Sequence, residues 1–219
     1  MLNIALDGPS GSGKSTAAKA IAKKLDILYL DTGAMYRACA LETICQGVDC
    51  FDEESVKKFI NDIDLKIVYK DGAQRTILRG EDVSEKIRVN EVSMMASNVS
   101  SLPCVRLKMV EMQRKVAETT DCILDGRDIG TYVLPDCKHK FFITASPEVR
   151  AGRRFDELIK KGQQVEYEKI LEEINQRDYN DSHRAFAPLR RADDAIYLDT
   201  SDMTPDEVVD FIIDSVKNK

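Results

Sequence analysis

Two kinds of apolar pattern alternate along this chain: short unbroken runs, and longer stretches with apolar residues three or four apart. Asn3 to Leu6 is a run that ends in Asp-Gly-Pro, which predicts a strand entering a glycine-rich turn. From Lys14 to Leu25 the apolar positions Ala17, Ala20, Ile21, Ala22 and Leu25 have helical spacing. Ile27 to Leu30 predicts a second strand, and Thr32 to Gln46 a helix with Gly47 as its left-handed cap. Ser55 to Ile63 predicts another short helix. The pattern then changes to alternation over Leu65 to Tyr69, a hairpin signal at Asp71-Gly72, and a returning strand at Thr76 to Leu78. Helices are expected near Asn90 to Ser100 and Val105 to Glu118, and buried strands at Cys122 to Leu124 and Lys140 to Thr144. Ser146-Pro147-Glu148 is a helix start, with a serine cap, a proline in the first turn and then an acid. That helix should run to about Lys161, and another from about Glu166 to His183. A last strand falls at Ala195 to Leu198, and Thr204-Pro205-Asp206-Glu207 is a capping box before the final helix.

Five short strands interleaved with helices predict an α/β fold with a parallel sheet covered on both faces. The antiparallel hairpin is the one insert in that alternation. No repeats, low-complexity tracts or long linkers interrupt it.

Composition narrows the function classes. The chain has 219 residues, 43% hydrophobic and 32% charged, as expected of a soluble globular protein of one large or two small domains. Its formal net charge of −6 argues against a nucleic acid polymer as partner, which requires a basic surface. Any site for an anionic substrate must therefore be local. The chain opens on Met-Leu-Asn-Ile without a basic and apolar leader, and no apolar run is long enough for a bilayer. A cytoplasmic protein without membrane contact, and a monomer, is the expectation. The six cysteines form no C-x-x-C pair, so free thiols are expected. His139 and His183 have no ligand partners at metal spacing.

Chemistry enters with Gly8-Pro9-Ser10-Gly11-Ser12-Gly13-Lys14-Ser15, followed by Thr16. This is G-x-x-x-x-G-K-[ST] between a strand and a helix, the P-loop. Glycines let successive N–H groups turn toward a phosphate, and the helix N-terminus adds a favourable dipole end. Lys14, expected to face solvent before nucleotide binds, supplies a cation for the β and γ oxygens of ATP. Ser15 is the candidate Mg²⁺ ligand. The loop establishes nucleotide binding but not a reaction. A GTPase would need an N-K-x-D segment, which is absent, and a non-catalytic nucleotide-binding module is the rival from outside enzymology.

Further segments carry chemistry. Asp31-Thr32-Gly33-Ala34-Met35-Tyr36-Arg37 follows the second strand, and Asp125-Gly126-Arg127-Asp128-Ile129-Gly130 ends another, where open α/β sheets bind ligands. Arg177, Asp181 and Arg184 are spaced i, i+4, i+7 and are expected on one helix face, at about 100° per residue. Arg150, Arg153 and Arg154 lie one turn apart after the Ser146 cap and can present one basic face to a transferring phosphoryl group.

The motifs D-G-P-S-G-S-G-K-S-T, D-T-G-A-M-Y-R, L-R-G-E-D-V-S-E-K-I-R, D-G-R-D-I-G and R-D-Y-N-D-S-H-R-A-F-A-P-L closely resemble those of bacterial-type cytidylate kinases, from Ile4 to about Leu198. The resemblance implies a P-loop NTPase fold with a five-stranded parallel sheet. It implies one domain with a core at 1–31, 101–146 and 185–219, a nucleoside monophosphate (NMP) region at about 32–100 with its hairpin insert at about 64–83, and a lid at about 147–184. The implied activity is transfer of the γ-phosphate of MgATP to CMP or dCMP, with another acceptor such as UMP as the alternative. By the same resemblance Thr32, Arg37 and Arg127 hold the acceptor phosphate, and Ser97, Arg106 and Asp128 read cytosine. Arg177 and Asp181 hold the sugar, Arg184 lies near the phosphates, and Asp125 organises Mg²⁺-bound water or the acceptor pocket.

Overall fold

The computed structural model describes residues 1–70 and 72–218. Strand β1 (Asn3–Asp7) is the middle of a five-stranded sheet of order β2-β6-β1-β7-β8, completed by β2 (Leu28–Asp31), β6 (Cys122–Gly126), β7 (His139–Thr144) and β8 (Ile196–Asp199). β1 pairs in parallel with β6, Leu6 opposite Asp125, and with β7, Leu6 opposite Phe141. β8 continues in parallel beside β7. Ile4, Leu6, Ile123, Phe141 and Ile143 are buried, as unbroken apolar runs covered on both faces require. Helices α1 (Lys14–Leu25) and α8 (Pro205–Lys217) contribute Ala18, Ile21, Val209 and Ile212 to the same core. The Thr204–Glu207 capping box is present.

The chain divides into two compact units, one of Met1 and Leu30–Thr120, the other of Leu2–Tyr29 and Asp121–Lys219. The first holds α2 (Thr32–Gln46), α3 (Glu53–Ile60), α4 (Asn90–Val99) and α5 (Pro103–Thr119). Gly47 closes α2 in the left-handed conformation, φ 64°. α3 begins two residues before the expected Ser55, because Asp52 is the cap and accepts the Ser55 N–H. Its second sheet departs from the expected hairpin: β3 (Leu65–Lys70) and β4 (Ala73–Leu78) are joined by a short third strand, β5 (Glu81–Asp82). Of the expected hairpin turn, Asp71 lies outside the described residues, and Gly72 has φ 71°. Buried Glu42 of α2 pairs with Arg79 in the turn after β4, fastening the insert to the helix.

In the second unit, α6 (Pro147–Lys160) packs on α7 (Tyr167–His183) through Ala151, Ile170 and Ile174. A single π-type turn, Ile129–Val133, follows β6. No described helix is long and apolar enough to cross a membrane, and all six cysteines are free thiols.

Candidate active site

The P-loop leaves β1 at the centre of the sheet. Gly8 has φ 146°, and a Cβ there would sit 1.9 Å from the Ile143 carbonyl oxygen, so no larger residue fits this turn. The loop from Gly8 through Gly13 leads into α1, whose first residues are Lys14, Ser15 and Thr16. Lys14 does not face solvent as expected. It is 5% exposed, and its Nζ donates to the Pro9 carbonyl at 2.6 Å and to Ser12 Oγ at 3.2 Å. The turn that shapes a phosphate cradle also wraps the ammonium. Burial and neighbouring Arg127 push Lys14 well below the usual lysine range, against the pull of Asp125, Asp7 and Asp181.

These neighbours are the motif residues. Asp125 accepts the Ser15 hydroxyl at 2.5 Å and the Tyr29 hydroxyl at 3.1 Å. The Ser15–Asp125 pair offers hard oxygens side by side, a donor set that fits Mg²⁺. Arg127 donates from Nε to Asp181 at 2.7 Å and from Nη1 to the Gly126 carbonyl at 3.2 Å. Burial alone would raise the Asp181 carboxyl. The charges of Arg127, Arg177 and Arg184 outweigh it and hold the group below its usual range. Burial likewise works against the Arg127 guanidinium, but Asp181, Asp125 and Asp178 keep its pKa raised.

Arg184 is not on the α7 face with Arg177 and Asp181. The helix ends at His183, and Arg184 is extended, φ −62° and ψ 142°. Its Nε donates to the Ala187 carbonyl at 2.7 Å, and Nη2 approaches Asp128 at 3.5 Å. The structure therefore still brings Arg184 near Asp181, through the chain bend after the helix.

The three α6 arginines separate by partner. Buried Arg150 donates to the carbonyls of Ala145 (2.8 Å) and Ser10 in the P-loop (3.0 Å), and to Asp178 (2.6 Å). Arg153 binds the Thr200 carbonyl at 2.6 Å, while the Thr200 hydroxyl lies 3.3 Å from the Ser12 carbonyl. Arg154 pairs on the surface with Glu157 at 2.8 Å.

Asp7, Asp178, Thr200 and Tyr29 were not singled out from the sequence. Asp7 accepts the Ile129 and Gly130 N–H groups, each at 2.7 Å, and so fixes the segment after Arg127 and Asp128. Burial pushes its carboxyl up to about 7, against those two hydrogen bonds and assisted by Asp128. An acid ending a buried strand directly before the P-loop was the available signal. Thr200 has none, since only tertiary folding brings it to the loop.

In the first unit, Thr32 opens α2 and is buried, and Arg37 pairs with Asp31 at 3.0 Å. Arg106 of α5 is 1% exposed, lies 5.3 Å from the centre of the Tyr36 ring, and donates to the Ser100 carbonyl at 3.3 Å. Ser97, one turn earlier on α4, has its own carbonyl bonded by the Ser100 hydroxyl at 2.9 Å.

A parallel sheet whose central strand feeds a glycine-rich loop around a buried lysine is the construction of P-loop phosphotransferases. The solved structure of an uncharacterized protein from Eubacterium ventriosum covers 100% of both chains with a TM-score of 0.54 at 14% identity, a likeness of fold. The cytidylate kinase family profile matches residues 4–218. Cytidylate kinases of Caldicellulosiruptor saccharolyticus and Halalkalibacterium halodurans are each 48% identical, the first over 97% of this chain and 94% of its own, the second over 100% and 98%. The cytidylate kinase of Bacillus subtilis is 43% identical over 100% of this chain and 97% of its own. The chain belongs to the cytidylate kinase family.

Proposed function

We propose that this enzyme transfers the γ-phosphate of MgATP to CMP or dCMP, giving ADP and CDP or dCDP. The observation that carries the reading is the charge cluster around Lys14. Residues from the P-loop, D-G-R-D-I-G and R-D-Y-N-D motifs act on one another there, so donor-side and acceptor-side motifs share one electrostatic environment. An ammonium whose burial disfavours its charge is favoured again beside phosphate oxygens. Gly8 through Thr16 bind the ATP phosphates through backbone N–H groups and Lys14. Arg150 and Arg153 brace that loop from outside, through the Ser10 carbonyl and through Thr200. This suits a role in shaping the cradle, with Arg154 the exposed member of the three. Mg²⁺, when bound, would neutralise phosphate charge, with the Ser15 hydroxyl and the neighbouring Asp125 carboxylate as the oxygens suited to hold it.

On the acceptor side, Thr32, Arg37 and Arg127 take the CMP phosphate, and Ser97, Arg106 and Asp128 take the base. Arg177 and Asp181 take the sugar, with Arg184 near the phosphates. Arginines at the acceptor phosphate offset repulsion between two anions, and the transition state gains from fixed positive charge. No general base is needed, because the acceptor phosphate is already ionised. The proposed setting is the cytoplasm, as a monomer acting on free nucleotides. Likeness to cytidylate kinases along the whole chain supports cytosine over the uracil alternative. A coupled ADP-release assay on CMP, dCMP, UMP and AMP tests this: CMP and dCMP should have the highest kcat/KM. Equal or faster use of UMP or AMP would overturn the assignment of the base.

A further inference from the structure

A side chain of the antiparallel insert reaches the candidate acceptor site. Gln74 of β4 accepts the Asp31 backbone N–H at 2.8 Å and donates to the Asp31 carbonyl at 3.4 Å. Its amide thus stands in for a neighbouring strand at the end of β2, using both its donor and its acceptor. Asp31, so held, divides its carboxylate. Oδ1 caps α2 by accepting the Ala34 N–H at 2.9 Å, and Oδ2 accepts from Arg37 Nη2 at 3.0 Å.

The remainder of the Arg37 guanidinium lies along the first turn of α2. A Cβ built on Gly33 would meet Arg37 Nη1 at 2.9 Å and Asp31 Oδ1 at 3.1 Å. A bare glycine is therefore what lets the guanidinium rest there. Asp31 engages one nitrogen of the fork, and Arg37 Nε is buried with no hydrogen-bond partner among the described residues. An arginine with one nitrogen anchored and a buried donor still to satisfy is set for a second anion. A phosphate that finds the side chain already fixed does not bear the cost of ordering it.

We infer that Asp31 is the positioning residue for Arg37, with Gln74 of the insert fixing Asp31 and Gly33 leaving room for the guanidinium. The inference rests on the reading of Arg37 as a ligand of the acceptor phosphate, and it gives the three-stranded insert a task in binding CMP.

Steady-state kinetics on Asp31→Asn, Gly33→Ala, Arg37→Ala and the two double variants with Arg37→Ala test it. Asp31→Asn keeps the cap oxygen and loses the charge that orients Arg37. Gly33→Ala adds a helix-favouring residue and presses chiefly on the flexible end of Arg37, with a milder crowding of Asp31 Oδ1 at 3.1 Å. Each should raise KM for CMP about tenfold, as expected for a misplaced charge-assisted contact. KM for ATP should stay within about twofold, and the melting temperature of Gly33→Ala should not fall. In the Arg37→Ala background neither substitution should change KM for CMP further, because both act through that side chain. If Arg37→Ala raises KM for CMP while Asp31→Asn and Gly33→Ala do not, the positioning role is wrong and the acceptor reading stands. The same holds if their effects persist without Arg37, or if KM for ATP rises in step. If Arg37→Ala leaves KM for CMP unchanged, the acceptor reading of Arg37 fails and this inference fails with it.

Discussion

Replacing Asp181 with asparagine removes the charge on which three arginines converge while keeping the side chain's shape. Asp181 is 6% exposed and forms a short ion pair with Arg127 Nε at 2.7 Å. Breaking a buried pair by removing one partner costs about 3–5 kcal/mol, because the other charge is left desolvated. Here Asp125 and Asp178 also act on Arg127, so the lower end, about 3 kcal/mol, is expected. For a chain of this size that is a fall in Tm of roughly 6–12 °C. The pH dependence has a definite sign. The folded value of Asp181 lies below the ordinary aspartate value of 3.8, so its contribution is full above that value and is lost as pH falls through the folded pKa. Urea unfolding of both proteins from pH 7 downward should give a constant gap that closes only below about pH 4. KM for CMP should rise as well, through Arg127 as much as through any lost sugar contact, while KM for ATP is spared. A variant as stable as wild type at pH 7, or a gap that widens in acid, would refute the role given to this pair.

Three further outcomes follow from the same geometry. Lys14→Met should fold normally, since it replaces a buried ammonium with an apolar chain, yet lose roughly 3 kcal/mol or more of transition-state stabilisation, a hundredfold or more in kcat; near-normal turnover of CMP would exclude the P-loop assignment. Asp128→Ala should narrow the ratio of kcat/KM for CMP over UMP by about tenfold, because a carboxylate accepts from the cytosine amino group and meets only a carbonyl on uracil. An unchanged ratio would return Asp128, which faces Arg184 at 3.5 Å, to a purely structural place. For Asp7 the folded pKa of about 7 exceeds the ordinary aspartate value of 3.8, so its contribution to stability is full below the latter and is lost as pH rises through about 7. Asp7→Asn should therefore gain stability relative to wild type between pH 5 and pH 8, by on the order of 1–3 kcal/mol in urea melts. Parallel pH curves would show that Asp7 does not titrate in this range.

What could be read from the sequence was whatever is local. The helix at Lys14–Leu25 has the bounds its apolar spacing implies, and Thr32–Gln46 ends as expected at Gly47, which is left-handed as its position implies. α3 starts at Glu53, two residues before the expected Ser55, because Asp52 immediately before it is the cap. β5 went unseen because two acidic residues on an exposed edge make no hydrophobic pattern. In the site, residue types were legible and their partners were not. Arg150, Arg153 and Arg154 lie within about one turn of α6, but long side chains choose partners by tertiary contact, so one braces the P-loop, one binds Thr200 and one stays at the surface. The spacing alone put Arg184 on the face of Arg177 and Asp181, but the chain bends after His183, and Lys14 is buried because its ammonium finds the Pro9 carbonyl.

The central claim is that the terminal phosphate of ATP moves to a cytidine monophosphate and not to water or to the protein. The most direct measurement follows γ-labelled ATP, with Mg²⁺ and CMP, by separating products over a single turnover. Label should appear in CDP with the same time course as ADP formation, with no labelled protein and little free phosphate. Label appearing mainly as inorganic phosphate, at a rate indifferent to CMP, would contradict it and mark the chain as a nucleotide hydrolase or switch.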